Sequence, residues 1–120
     1  MTIHIRRIYE PVSSEDGTRV LVDRVWPRGV RKADAGLDLW AKDVTPSTEL
    51  RKWFGHDPAR FDDFAVAYRN ELDARPEAVA ELVELAREGD LTLLYAARDP
   101  DCNHARVLAE YLRERLASGT

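Results

Sequence analysis

The sequence predicts an α/β fold, a small single domain over residues 1–120 with a mainly parallel sheet flanked by helices. Three observations carry this. Two β-prone runs stand in the N-terminal third, a short apolar run stands at Leu91 to Tyr95, and the segments around that run repeat their apolar residues at helical spacing. The C-terminal order of strand, helix pair, strand and helix is the one that crossover connections of a parallel sheet produce.

Residues 2–9 (TIHIRRIY) place Ile3, Ile5 and Ile8 in a first strand. Arg19 to Trp26 (RVLVDRVW), bounded by Gly17 and Pro27, reads as a second. Leu37 to Val44 suits a fourth strand or a short helix equally, and pattern leaves that open. Residues 46–54 contain a helical turn. Phe61, Phe64, Ala65, Tyr68 and Leu72 form one helical stripe, Val79, Leu82, Val83 and Ala86 a second opened by Pro76, and Leu108, Tyr111, Leu112 and Leu116 a third. Leu91 to Tyr95 (LTLLY) has the continuous apolar character of a strand buried on both faces. Thr45-Pro46, Asp57-Pro58 and Asp99-Pro100 each set a capping oxygen before a proline suited to a first helical turn.

The chain has 18 basic and 22 acidic residues, a net charge of -4 and 44% hydrophobic residues, a balance typical of one folded domain with an ordinary core. The lone cysteine, Cys102, excludes an internal disulfide and a multi-cysteine zinc site and is at home in a reducing compartment. No apolar run approaches the roughly 20 residues of a membrane span, and the N-terminus lacks a signal-peptide core. The expected location is the cytoplasm, with no membrane partner. Arginine outnumbers lysine 15 to 3, which together with 15 alanines matches the codon usage of a GC-rich genome. Residues 61–120 carry 7 basic and 13 acidic side chains, whereas Arg19, Arg24, Arg28, Arg31 and Lys32 have only Asp23 as a near counter-charge. That positive island suits an anion.

Three constellations are candidates for chemistry. Asp23-Arg24-Val25-Trp26-Pro27-Arg28-Gly29 leaves a strand through a proline and a glycine and offers two guanidinium forks, an indole and a carboxylate. Trp40 to His56 contains a helix start near Thr45 to Ser47, where free N–H groups attract an anion, followed by Arg51, Trp53, Phe54 and His56; Trp53 and Phe54 are expected in the core. Arg98-Asp99-Pro100-Asp101-Cys102-Asn103-His104 follows the last strand and opens the last helix. In a parallel sheet the first and third leave the same carboxyl edge, where open α/β sheets place their ligands. Arg28 and Arg98 are therefore expected to line one pocket. His4 reads as structural. Cys102, near a helix start, is in a setting that lowers a thiol pKa. No glycine-rich phosphate loop or paired-histidine motif is present, and no metal or cofactor is called for.

The motifs DRVWPRG (Asp23 to Gly29), LDLWAKDVTPSTELRKWFGHDP (Leu37 to Pro58), and LTLLYAARD followed by NHARVLAEYL (Leu91 to Leu112) closely resemble the YeaO-like branch of a bacterial family filed as domain of unknown function 488. The resemblance runs nearly end to end and implies an α/β fold with a polar site built from these motifs. It implies no reaction. The wider family looks to carry a cysteine and an acidic residue at the end of its last strand and then a Cys-His-Arg triplet. This chain has Tyr95, Ala97 and Asn103-His104-Ala105 there, so only His104 carries over, and thiol chemistry does not transfer to Cys102.

The leading functional expectation is an enzyme-like pocket for an anionic small molecule of the phosphate or nucleotide class. Arg24, Arg28 and Arg98 would hold charge, Trp26 or Trp40 would supply a stacking wall, and Asn103 would orient the ligand, with Ser47, Arg51 and His56 contributing. Asp23 and His104 would form the acid-base pair of any reaction. The second expectation is a nucleic-acid-binding protein using Arg19 to Lys32, against which overall acidity weighs. The third is a protein-interaction module with an exposed aromatic anchor.

Overall fold

A computed structural model describes residues 2–118. Four strands, β1 (Ile3–Arg7), β2 (Thr18–Leu21), β3 (Leu39–Trp40) and β4 (Leu91–Tyr95), form one all-parallel sheet in the order β1-β4-β2-β3. Five helices accompany them: α1 (Lys32–Ala35), α2 (Thr48–Phe54), α3 (Phe61–Asp73), α4 (Pro76–Glu88) and α5 (His104–Ala117). β4 lies between β1 and β2, which explains its uninterrupted apolar run: all five of its residues are buried.

Strand alternation divides the core in two. Val20, Val22, Leu91, Leu93 and Tyr95 face the larger layer, packed with Phe64, Tyr68, Leu72, Leu82 and Leu108 from the helices. Leu21 and Leu94 face the other side, under Ile8, Ala35, Trp26 and Trp40. At the amino end of that second face a buried ion pair joins Arg19 to Asp16, with Arg19 also donating to the carbonyls of Gly36 (3.1 Å) and Ala35 (3.0 Å). Arg19 thus leaves the positive island. Gly17 sits here at φ 64°, and a Cβ on it would lie 2.2 Å from the Asp90 carbonyl oxygen, so only glycine fits.

Several expectations change in detail. Leu37 to Val44 contains both alternatives, a two-residue strand and then a 3₁₀ turn at Lys42–Val44. The helix starts at 46–54 and after Pro100 move later, to Ser47 and Asn103 as caps; Asp99 instead accepts the N–H groups of Asp101 and Cys102 in a preceding turn. Asp57 does cap a turn opened by Pro58. Phe54 is buried, but Trp53 is 44% exposed with the Arg60 guanidinium over its ring.

The second strand is shorter than Arg19 to Trp26, and the reason lies 82 residues away. Val22 still donates its N–H to the Leu94 carbonyl (3.0 Å), so the next rung of the parallel ladder would run from Ala96 N–H to the Val22 carbonyl. Two side chains take that rung apart. Asp23 Oδ2 accepts the Ala96 N–H (3.0 Å), and His104 Nε2 lies 2.8 Å from the Val22 carbonyl oxygen. From Asp23 onward the chain therefore leaves β4.

Candidate functional site

The parted carboxyl ends of β2 and β4 form the floor of a cavity of about 530 Å³. On the far side of β4, Arg7 holds the exit open by donating to the carbonyls of Ala97 (2.9 Å) and Ala96 (3.0 Å). Beneath the cavity Phe54 and Phe64 stack with ring centres 4.3 Å apart, and α3 adds Tyr68, whose hydroxyl donates to the buried Val44 carbonyl. The loop after β2 supplies one wall through Val25, Trp26 and Pro27, and α2 supplies another through Thr48, Arg51 and Lys52.

Asp23 and His104 meet at the floor. His104 Nε2 is 3.0 Å from Asp23 Oδ1 as well as 2.8 Å from the Val22 carbonyl. A carbonyl oxygen can only accept, so Nε2 carries a proton in the neutral ring and Nδ1 is left bare. The hydrogen bond is directed at Val22, which leaves the buried Asp23 Oδ1 close to that proton without a well-aligned hydrogen bond of its own. Nδ1 makes no hydrogen bond to protein among the described residues. Asp23 and Val22 thus fix the tautomer and orientation of a ring whose second nitrogen is able to accept or exchange a proton.

The cavity's charge is lopsided. Among the described residues Asp23 is its only acidic lining residue, whereas Arg24, Arg28, Arg51 and Lys52 are all exposed and line it too. Among the described residues none of these four cationic groups has an ion-pair or hydrogen-bond partner.

The expected site residues separate into groups. Asp23, Arg24, Trp26, Arg28, Arg51, His56, Asn103 and His104 line the one cavity. Trp26 is anchored by its indole N–H on the Val30 carbonyl (2.7 Å), and Trp40 packs edge-on against it with ring centres 5.2 Å apart. Trp40 itself does not line the cavity: its indole N–H is held by the Asp23 carbonyl (2.7 Å), so it buttresses the loop. Ser47 is also withdrawn. Its N–H (2.7 Å) and hydroxyl (2.6 Å) both bind the Glu71 carboxylate, so the anion at this helix start comes from α3 of the same chain. Arg98 is exposed and lies outside the lining, although its neighbour Ala97 is part of it. Arg28 therefore shares the cavity with Arg51 and Lys52, not with Arg98.

Asn103, 1% exposed, uses its amide as a cap: Oδ1 accepts from Arg106 N–H (3.0 Å) and Nδ2 donates to the Asp99 carbonyl (2.9 Å). It positions His104 and has little left for a ligand. His56 reaches the cavity because Gly55 (φ 53°) and His56 (φ 58°) both adopt left-handed backbone and end α2 abruptly. Cys102 is outside the lining, and its thiol is raised above the ordinary range by desolvation and then by the charges of Asp99 and Asp101. The thiolate expected of a helix start is thus disfavoured. Tyr9, whose hydroxyl donates to the Arg28 carbonyl (2.9 Å), and Lys52 are lining residues the sequence reading passed over. Lys52 had a signal, its place beside Arg51; Tyr9 had none.

Among the described residues no three His, Cys, Asp or Glu side chains gather as a metal site, and no helix is long and apolar enough to cross a membrane. A family model described as the inactive DUF488-N3 subclade matches residues 2–120. The chain belongs to that family. The uncharacterized protein YeaO of Escherichia coli K12 is 45% identical over 113 residues, spanning 94% of this chain and 98% of its own length. The uncharacterized protein Rv3073c of Mycobacterium tuberculosis H37Rv is 46% identical over 113 residues, spanning 94% of this chain and 95% of its own. No solved structure is a significant match. In this DUF488-N3 chain the motifs behind the YeaO-like resemblance supply lining residues from three stretches, among them Asp23 and Arg28, Thr45 and His56, and Ala96, Ala97, Asn103 and His104.

Proposed function

We propose that this protein binds a small anionic molecule of the phosphate or nucleotide class in the cavity at the carboxyl end of its sheet. The observation that carries this is the set of four exposed, unpartnered cations, Arg24, Arg28, Arg51 and Lys52, around one cavity in a chain of net charge -4. Among the described residues some exposed cations elsewhere pair with carboxylates, as Arg87 does with Glu84 and Arg115 with Asp73, and others such as Arg31, Arg98 and Arg106 do not; what distinguishes these four is that they border one cavity. Like charges gathered without counter-ions repel one another, and an anion removes that cost. Arginine forks suit a phosphate or carboxylate by geometry as well as charge.

Binding without turnover is the reading favoured by the description of the subclade as inactive. The cavity also lacks a cysteine, and Thr45, its buried hydroxyl, donates to the Lys42 carbonyl (2.7 Å). Asp23 and His104 then serve as an oriented hydrogen-bonding pair, and they are the acid-base pair if a reaction occurs. A cytoplasmic setting, which the single cysteine favours, belongs to this reading.

The test is calorimetric titration of the wild type and of Arg28→Ala/Arg51→Ala with inorganic phosphate, pyrophosphate and nucleoside monophosphates. At least one probe is expected to bind the wild type, with affinity falling at least tenfold in the double variant. Failure of every probe at millimolar concentration, or equal affinity in the two proteins, overturns the reading.

A further inference from the structure

The distribution of charge inside the cavity narrows the ligand further. All four cations are exposed, so they stand at the mouth. The floor is different. It is formed by Phe54 (5% exposed) and Phe64 (1% exposed), by Ala96 and Ala97, and by the Asp23–His104 pair. Its one charged group is thus a carboxylate. An anion pushed to that depth would lose hydration and meet Asp23, whereas at the mouth it stays partly hydrated and meets guanidinium groups. Inorganic oxyanions have no use for the apolar floor, and a cavity of about 530 Å³ is far larger than they fill.

The walls suit a flat body. Trp26 is locked by its bond to Val30 and by Trp40 behind it, and Tyr9, 47% exposed, is tied to the Arg28 backbone with the Arg7 guanidinium 4.8 Å from its ring centre. Rigid aromatic walls gain contact with a planar group at little entropic cost. The polar groups at the floor are acceptors: the bare Nδ1 of the lining His104, beside the Asp23 carboxylate, whose Oδ2 takes the Ala96 N–H and whose buried Oδ1 lacks an aligned hydrogen bond. They call for an uncharged body that carries hydrogen-bond donors.

We propose that the ligand is a nucleoside monophosphate, held with its phosphate among Arg24, Arg28, Arg51 and Lys52 at the mouth and its base directed towards Asp23 and His104. The proposal rests on the anion reading above and adds the orientation and the requirement for a base. Neither half of the ligand suffices, because the mouth holds one and the floor the other.

The experiment titrates the full chain with AMP, UMP, adenosine, inorganic phosphate and a single-stranded oligonucleotide of eight thymidines, and repeats the series with Tyr9→Ala. Tyr9 is exposed, so the variant is expected to fold. A nucleotide should bind at least tenfold more tightly than phosphate or adenosine. Tyr9→Ala removes the ring and also its tie to the Arg28 backbone, so it should weaken nucleotide binding several-fold more than phosphate binding. Phosphate binding as tightly as both nucleotides overturns the proposal and leaves the anion reading standing, and adenosine matching AMP overturns both. Silence from every probe also overturns both. Tighter binding of the oligonucleotide than of either nucleotide, with a steep salt dependence, overturns the proposal in favour of nucleic acid.

Discussion

Asp23→Asn, normally a gentle substitution, is expected to be costly here. The wild-type carboxylate faces two donors: Ala96 N–H at 3.0 Å on Oδ2 and the Nε2–H of His104 at 3.0 Å from Oδ1. The second donor is pinned, since Nε2 must keep its proton for the Val22 carbonyl at 2.8 Å. Asparagine brings one oxygen and one NH₂. If the oxygen keeps Ala96, the NH₂ confronts Nε2–H; if it turns, the NH₂ confronts the Ala96 N–H. Either orientation leaves a buried donor opposed, which costs about 1–3 kcal/mol. For a domain of this size 1 kcal/mol is worth about 4 °C of melting temperature, so Asp23→Asn should melt about 4–12 °C below wild type. Thermal denaturation measures the shift, and nitrogen-15 spectra of the ring should show Nε2 protonated and Nδ1 bare in neutral His104. A variant that melts within about 2 °C of wild type, or a neutral ring protonated at Nδ1, refutes the reasoning.

His104→Gln should behave oppositely, because a glutamine NH₂ has two hydrogens for the Val22 carbonyl and Asp23 Oδ1. Its melting temperature should fall by less than about 4 °C while nucleotide affinity drops, and a fall of about 8 °C or more with affinity retained would make the histidine structural. Cys102→Ser should leave anion binding intact, and the wild-type thiol should react with iodoacetamide more slowly than free cysteine at neutral pH, given its raised pKa; fast alkylation counts against this. Asp16→Ala strands the Arg19 guanidinium, 4% exposed, and should cost about 3–5 kcal/mol by urea denaturation. Burial alone would raise the Asp16 pKa, but hydrogen bonds from Ser13, Arg6 and Arg19 outweigh it and hold the folded value low. Asp16 therefore stabilises the fold fully above the ordinary carboxylate range and ceases to do so as pH falls below it, and the variant's stability should show a weaker acid dependence.

The features that sequence made legible depend on neighbours in the chain, and those it hid depend on distant ones. β4 and the stripes of α3, α4 and α5 could be read because burial repeats at the period of the element itself. Asp23, Arg28 and His104 could be brought together because parallel strands share a carboxyl edge. Ser47 could not be read, since Glu71 binds it from 24 positions away, and nothing near Arg19 announced that Asp16 would bury it. Trp26 and Trp40 look alike in sequence. Which one faces the cavity and which one supports it was decided by where the Asp23 and Val30 carbonyls lie after folding.

The absent rung between Val22 and Ala96 makes the cavity audible to the sheet. In an unbroken ladder the last backbone bond reports only the unfolding of its strands. Here the Ala96 amide proton is guarded by a side chain, and the Val22 carbonyl by a ring that also borders the cavity. A ligand that draws the imidazole towards itself loosens the grip on β2, and one that presses it back tightens the seam. If a ligand binds there, the exchange rate of that single amide with solvent is expected to change with occupancy, whatever the occupant is.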